Sequence, residues 1–259
     1  MISAELTFSE LLIGILFLVV VITIAFFRTP KGKGVWGEFQ VKIKLKIFFK
    51  KSGVIINNYV YVDENYKSAV DSKHIRTVQI DHIVVSEKGV LVVETKNYSG
   101  RIYGDKSQTM WTQVLKYGKV KNKLYNPIKQ NETHCYYVRK IIGENVPIRS
   151  VVVFAQNNTE YIRCTGEVVG LKSLKKYLHS LPSLLNQEQV IEISEKLKSA
   201  NQSDVISNRQ HKKNVKNLLN DRNAGGCPYC GGALVYKKGQ FGAFYGCSNY
   251  PKCTYKKKI

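Results

Sequence analysis

QIDHIVVSEKGVLVVETK, residues Gln79 to Lys96, reads as two apolar strand-like runs joined by a tight turn that contains Gly89. Its polar residues include Asp81, Glu94 and Lys96. Alternate residues of a strand share a face, and directly opposed residues of an antiparallel pair share it too. An even loop, either Glu87-Lys88 or Ser86 to Gly89, sets Asp81 opposite Glu94 and Gln79 opposite Lys96. An odd loop such as Glu87-Lys88-Gly89 sets Asp81 opposite Thr95 and disperses the group. Two carboxylates side by side repel unless something positive lies between them. Hard oxygen ligands of this kind suit Mg²⁺ or Mn²⁺, and Lys96 is placed to neutralise charge on a phosphate. The plainer alternative is a solvent-face ion pair on an ordinary hairpin.

On either side of this hairpin the chain alternates helix and strand patterns. Val35 to Lys51 fits a strand by Val41, Ile43, Leu45 and Ile47, and a helix face by Val41, Leu45, Phe48 and Phe49. Gly37 and Glu38 before it and Ser52-Gly53 after it favour the helix. Val54 to Val62 reads as a first strand and Asp63 to Lys73 as a polar surface loop. Pro127 suits the start of a helix running to Gly143, and Ile148 to Ala155 is a buried strand. Tyr161 to Cys164 reads as a short edge piece, followed by amphipathic helices at Leu171–Leu178 and Gln187–Leu197. Between Asn201 and Gly226 the composition turns polar, which predicts a solvated linker with a short helix at Val215–Leu219.

The chain has 259 residues, and its formal charge is +21. Such a surplus points to a polyanionic partner, either nucleic acid or an anionic membrane surface. Leu11 to Phe27 carries no charge over 17 positions, at the short end of what spans a bilayer. Glu5 and Glu10 precede the run, whereas Arg28, Lys31 and Lys33 follow it beside a Pro30–Gly34 hinge. That asymmetry predicts a single-pass anchor with the N-terminus outside and the bulk of the chain cytoplasmic. A buried core helix is the alternative.

Six cysteines are unevenly spread. Cys135 and Cys164 stand alone, and Cys135 reads as a small core residue. Cys227, Cys230, Cys247 and Cys253 form C-x2-C-x16-C-x5-C, a ligand pattern for a closed tetrahedral Zn²⁺ site rather than a disulfide framework.

Two resemblances join these readings. Gln79-Ile80-Asp81-His82, the hairpin, Glu94-Thr95-Lys96-Asn97-Tyr98, Gly100 and Trp111 resemble the nuclease-related domain, NERD. Trp36-Gly37-Glu38 and Tyr125-Asn126-Pro127-Ile128-Lys129-Gln130 fit the same pattern. The family is similar to the PD-(D/E)xK nucleases, which implies an α/β three-layer core. On these residues the resemblance implies Asp81 and Glu94 as Mg²⁺ or Mn²⁺ ligands, the Thr95 carbonyl as a third, and Lys96 as the catalytic lysine. Glu38 corresponds to an added acidic residue from the first helix, and Gln79 and Gln130 to contacts behind the metal or with substrate. His82 faces away from Asp81 and reads as a packed or surface histidine.

Cys227 to Tyr255 resembles the four-cysteine zinc finger of bacterial type IA topoisomerases, which implies DNA binding with a preference for single strands. Lys237, Lys238, Lys252, Lys256, Lys257 and Lys258 could follow a backbone, and Tyr236, Phe241, Phe244, Tyr245 and Tyr255 could stack on bases or fill the small core. No counterpart of the topoisomerase catalytic region accompanies it. The expected organisation is an anchor at 6–28, a nuclease-like domain at 34–155, its helical extension at 156–200, a linker at 201–226 and a DNA-binding ribbon at 227–259. The expected function is that of a metal-dependent nuclease, with a non-catalytic nucleic-acid-binding scaffold as the alternative.

Overall fold

The uncharged N-terminal run forms helix α1 (Phe8–Arg28) in a computed structural model that describes residues 8–64, 66, 68, 71, 73–164, 166–227, 230–240, 242–251 and 253–258. Leu11–Arg28 is wholly unburied and is long and apolar enough to cross a membrane, a property signal sequences share. At Thr29 the backbone turns out of the helix, with ψ at 156°. The Thr29 hydroxyl accepts from the Gly32 amide at 3.0 Å, and Pro30 opens α2 (Pro30–Phe49). Proline loses no hydrogen bond at that position. The expected hinge at 30–34 is therefore the first turn of a helix. Its glycines are needed for close approach: a Cβ on Gly32 would collide with the Phe26 carbonyl, and one on Gly37 would lie 2.7 Å from the Asn97 Cβ. Val41, Leu45 and Phe49 are buried at helical spacing, which resolves the helix-or-strand ambiguity.

Strands β1 (Gly53–Asp63), β2 (Arg76–Ser86) and β3 (Gly89–Lys96) follow. Glu87 and Lys88 alone separate β2 from β3, a loop of even length. Gly89 has φ +95°, open to a residue without Cβ, and the Pro147 carbonyl, which accepts from the Val90 amide, lies 2.9 Å from where a Cβ would sit. Next come β4 (Arg101–Asp105), β5 (Met110–Leu115), β6 (Val120–Tyr125), α3 (Pro127–Ile142), β7 (Ile148–Phe154), β8 (Ile162–Arg163) and β9 (Val168–Gly170). Three helices, α4 (Leu174–Ser180), α5 (Gln187–Ser199) and α6 (Asn208–Asn223), precede β10 (Leu234–Gly239), β11 (Gly242–Cys247) and β12 (Lys256–Lys258).

The main sheet has strand order β1-β2-β3-β7-β9. β3 is buried along nearly its whole length, as expected of an interior strand covered on both faces. A second sheet has strand order β6-β5-β4-β8; β4 to β6 lie where the sequence pattern predicted no element, whereas β8 falls in the short edge piece expected at Tyr161–Cys164. Its strands are short, and β6 is lysine-rich and largely exposed, so alternation is weak there. Trp111 and Ile102 give this sheet a buried face against Ile128, Val152 and Phe154.

The chain divides into two compact units, one comprising 1–53, 93–131 and 150–183, the other 54–92, 132–149 and 184–259. The division falls inside β3, α3 and β7. In the second unit, Ile80, Ile83, Val85, Val90, Val138 and Leu197 belong to one apolar core.

Two expectations for this second unit change. Asp63, read as the start of a surface loop, is buried and accepts the Tyr137 hydroxyl at 3.0 Å. The solvated linker, with its short helix expected at Val215–Leu219, is largely the 16-residue α6, capped by Ser207. Its apolar content is low because its inward residues are polar and partnered. Asp221 is fully buried and accepts from Ser68 Oγ at 2.5 Å and Tyr66 Oη at 3.1 Å, with the His74 ring 2.9 Å away. A buried carboxylate requires partners of this kind.

Candidate functional site

Glu94 and Lys96 are two residues apart on β3 and so project from one face. The Lys96 ammonium donates to Glu94 Oε1 at 2.5 Å and to Gln130 Oε1 at 3.0 Å. It also stands 6.0 Å from the centroid of the Tyr98 ring. Glu94 is 3% exposed and Lys96 14%, so the pair is shielded from bulk water. A buried ion pair of this type depends on each partner having the other.

Each group is held by local chemistry. Asn126 is fully buried and starts α3: its carbonyl oxygen accepts from the Ile128 amide at 2.9 Å, while its NH₂ donates to the Gln108 carbonyl at 2.6 Å. Pro127 then begins the helix and brings Gln130 round to Lys96 one turn later. The end of β3 is fixed by the Ala155 amide, which donates to the Lys96 carbonyl at 2.8 Å. On α2, the Gly37–Asn97 contact and a hydrogen bond of 2.5 Å from Asn97 Nδ2 to the Lys33 carbonyl set the position of Glu38. Burial raises the Glu38 carboxyl above its ordinary value, the nearby Glu94 charge adds to this, and Lys96 opposes it.

Glu38, Glu94, Lys96 and Gln130, singled out in the sequence, thus belong to one electrostatic group. Asn97 and Tyr98 were quoted only as flanking pattern, and their structural roles come from contacts that spacing does not encode. Thr95 is buried between Glu94 and Lys96 in sequence. Asp81 lies half-buried on β2. On the same strand, the Gln79 amide donates to Asn208 Oδ1 of α6 at 3.2 Å, and Thr77 Oγ1 meets the His211 ring at 2.8 Å. Burial lowers the pKa of His211, and Lys212 lowers it further. His82 is buried with its ring 2.8 Å from Asn57 Oδ1, consistent with a packed histidine.

At the other end of the chain, Cys227, Cys230, Cys247 and Cys253 are buried, and their sulfurs all lie within 4.8 Å of one another. Cys227 and Cys253 are 3.6 Å apart, and Cys230 and Cys247 3.3 Å, well outside bonding distance. A tetrahedron with Zn–S bonds of about 2.3 Å has edges of about 3.8 Å, so these separations fit a Cys₄ zinc centre. The Asn249 amide side chain donates to Cys230 Sγ at 3.3 Å and its backbone NH to Cys247 Sγ at 3.4 Å. Although burial works against ionising Cys230, these and other donors, led by Asn249, bring its thiol below the ordinary value. Cys253 is pushed up to about 11, chiefly by burial. Four crowded thiolates need a dication.

Residues 33–155 match the family model described as the nuclease-related domain, NERD, and residues 224–259 match that of the topoisomerase DNA-binding C4 zinc finger. The chain carries a NERD domain and a topoisomerase-type zinc ribbon. An uncharacterized protein of Bacillus anthracis is 34% identical over 151 residues, which is 58% of this chain and 63% of that one, so the present chain spans less than two thirds of its relative. The ribbon is similar to short parts of DNA topoisomerase 1 from two organisms. Identity is 67% over 33 residues for Methanocaldococcus jannaschii, covering 13% of this chain and 4% of the enzyme. For Helicobacter pylori it is 44% over 59 residues, covering 23% and 7%. No solved structure matches the chain.

Within the ribbon, β10 and β11 pair so that Tyr236 faces Tyr245 and Lys237 faces Phe244. β12 adds Lys257 opposite Tyr245 and Lys258 opposite Phe244. One face therefore carries Tyr236, Tyr245 and Lys257, with both tyrosines exposed. On the other, the Lys256 ammonium lies 5.3 Å from the Phe244 ring centroid. Lys237 and Lys238 are exposed, and Tyr255 packs against the cysteines as a core residue. Lys252 and Phe241 lie outside the described residues.

Proposed function

We propose that this protein is a membrane-anchored, metal-dependent nuclease in which the zinc ribbon captures DNA and the NERD domain hydrolyses a phosphodiester on the cytoplasmic side. The observation that carries the reading is the shielded Glu94–Lys96–Gln130 cluster, with Glu38 in its field. Asp81, Glu94 and the Thr95 carbonyl are the proposed ligands of Mg²⁺ or Mn²⁺, Asp81 entering from the motif. Their hard oxygen donors fit such an ion. When bound, the ion would supply Lewis acidity toward a phosphate oxygen and lower the pKa of a bound water.

The chain's own groups supply the rest. Gln130 and Glu94 hold the Lys96 ammonium, a preset positive charge for a phosphorane-like transition state. Glu38, whose pKa burial raises, holds a proton beside it more tightly than an ordinary glutamate does. Exposed Tyr236 and Tyr245 offer stacking surfaces and Lys237, Lys238, Lys256 and Lys257 phosphate contacts, a combination suited to single strands. The anchor is α1, whose exposed apolar surface is compatible with lipid.

The experiment is incubation of the protein with single- and double-stranded DNA in Mg²⁺ or Mn²⁺, alongside Asp81→Ala, Glu94→Ala and Lys96→Ala. Metal-dependent cleavage abolished by all three supports the site, and cleavage unchanged by Asp81→Ala removes it. One observation favours a second reading: Lys96 pairs directly with Glu94 at 2.5 Å, which accounts for the buried carboxylate as a structural ion pair. A non-catalytic DNA-binding scaffold would bind without product, and lose binding on Cys227→Ser.

A further inference from the structure

Helix α2 has two apolar faces, of which the fold uses one. Gly37, Val41, Leu45 and Phe49 are buried. On the opposite side Trp36, Phe39, Ile43 and Ile47 follow at helical spacing and are 45%, 48%, 38% and 64% exposed. Lys33 and Lys44 flank this stripe on one side, Lys42 and Lys46 on the other. Between α2 and α4 a groove of about 710 Å³ continues the apolar surface and is rimmed by Lys44, Lys50 and Lys175. An apolar stripe bordered by lysines is the composition of a helix lying in a membrane interface.

The position of α1 identifies the occupant. The Phe27 ring lies 5.6 Å from that of Trp36, and Trp36 stacks on Phe39 at 5.6 Å. Trp36 is well into α2, yet still touches the last apolar residue of α1. The break at Thr29 therefore brings the start of α2 back against the end of the apolar span. Tryptophan at that level is where aromatic side chains collect in bilayers.

We infer that the Trp36–Phe39–Ile43–Ile47 face of α2 rests on the headgroup region of an anionic bilayer beside α1. This rests on reading α1 as a membrane span. The lysines supply attraction to acidic lipid, and the stripe enters the acyl boundary. The same helix bears Glu38 on its inward side, so a bilayer-bound α2 would hold the candidate catalytic group close to the membrane surface.

The test uses the full chain in bilayers containing phosphatidylglycerol and lipids brominated near the headgroup. In a Trp36→Phe background, Ile47→Trp places an indole about 16 Å further along α2. The inference expects loss of most of its emission to brominated lipid, and recovery when phosphatidylglycerol is replaced by phosphatidylcholine. Trp111, 1% exposed, is a constant background. Absence of quenching at position 47 while the chain resists alkaline extraction overturns the inference and leaves the anchor standing. Complete alkaline extraction overturns both. Cross-linking between copies through Ile43→Cys, with no quenching at position 47, would assign the face to a second copy and overturn the lipid proposal.

Discussion

The zinc centre and the carboxylate–lysine cluster are assembled in opposite ways. The four cysteines come from one stretch of 27 residues, Cys227 to Cys253, at spacings that are themselves the ligand code. Glu38, Glu94, Lys96 and Gln130 come from α2, β3 and α3, and no spacing among them specifies a geometry. The first site needs a metal to bring its ligands together, because four thiolates repel. The second is already closed by its own ion pair. A local site is therefore robust to changes elsewhere in the fold, whereas a dispersed one fails when any supporting element shifts.

Stripping the metal separates the two regions most strongly. Chelation, or Cys227→Ser, is expected to unfold residues 227–258, since zinc contributes on the order of 10–16 kcal/mol in small zinc modules. Zinc content and DNA binding should fall together while the urea transition of the remaining fold persists. Retained ribbon structure without metal would break the distinction.

The next largest effect is expected at Lys96. Lys96→Ala leaves Glu94 buried without its cation and should destabilise by about 3–5 kcal/mol in urea unfolding. The double variant Lys96→Met with Glu94→Gln should recover much of that, while activity stays at least about 100-fold reduced. Additive losses would show that the pair is not coupled.

Gly37→Ala tests whether the dispersed site depends on its supports. A methyl group 2.7 Å from Asn97 Cβ should cost about 1–3 kcal/mol and displace Glu38, leaving zinc content unchanged. Equal stability of the variant and the parent would remove Gly37 from the account.

The smallest effect is a pH dependence. The folded-state pKa of Glu38 is raised above the ordinary 4.5, so the folded protein holds its proton more tightly than the unfolded chain does. Ionised Glu38 therefore carries a penalty that is fully present above its folded pKa and disappears below the unfolded value. Glu38→Gln should be the more stable protein at neutral pH, and the advantage should vanish as pH falls below about 4.5. An advantage that grows in acid would contradict this sign.

Much of the fold was legible where a pattern had a single physical meaning. The apolar runs of β3 and β7, Pro127 at the start of α3 and the cysteine spacing all fall in that class. Of α6 only Val215–Leu219 was legible as a short helix, because the helix buries Asn214 and Asp221 instead of aliphatic residues and hydrophobic periodicity registers little of it. Pro30 to Gly34 looked like a hinge because glycine serves flexibility and close contact alike. In the candidate site, the glutamates, lysine and glutamine were legible as residue types, but the Asn97 bond to α2 and the Asn126 tie beneath α3 were not.

By itself, then, the sequence determined the apolar span, the zinc ligand set and the alternation that puts Glu94 and Lys96 on one face. Each follows from short-range geometry, in which spacing along the chain translates directly into direction. Tertiary structure alone decided that Gln130 closes on Lys96, that Gly37 brings Glu38 into their field, and that the outer stripe of α2 stays uncovered. Those outcomes depend on which elements pack together, and packing is set by the sum of many distant contacts rather than by any local pattern.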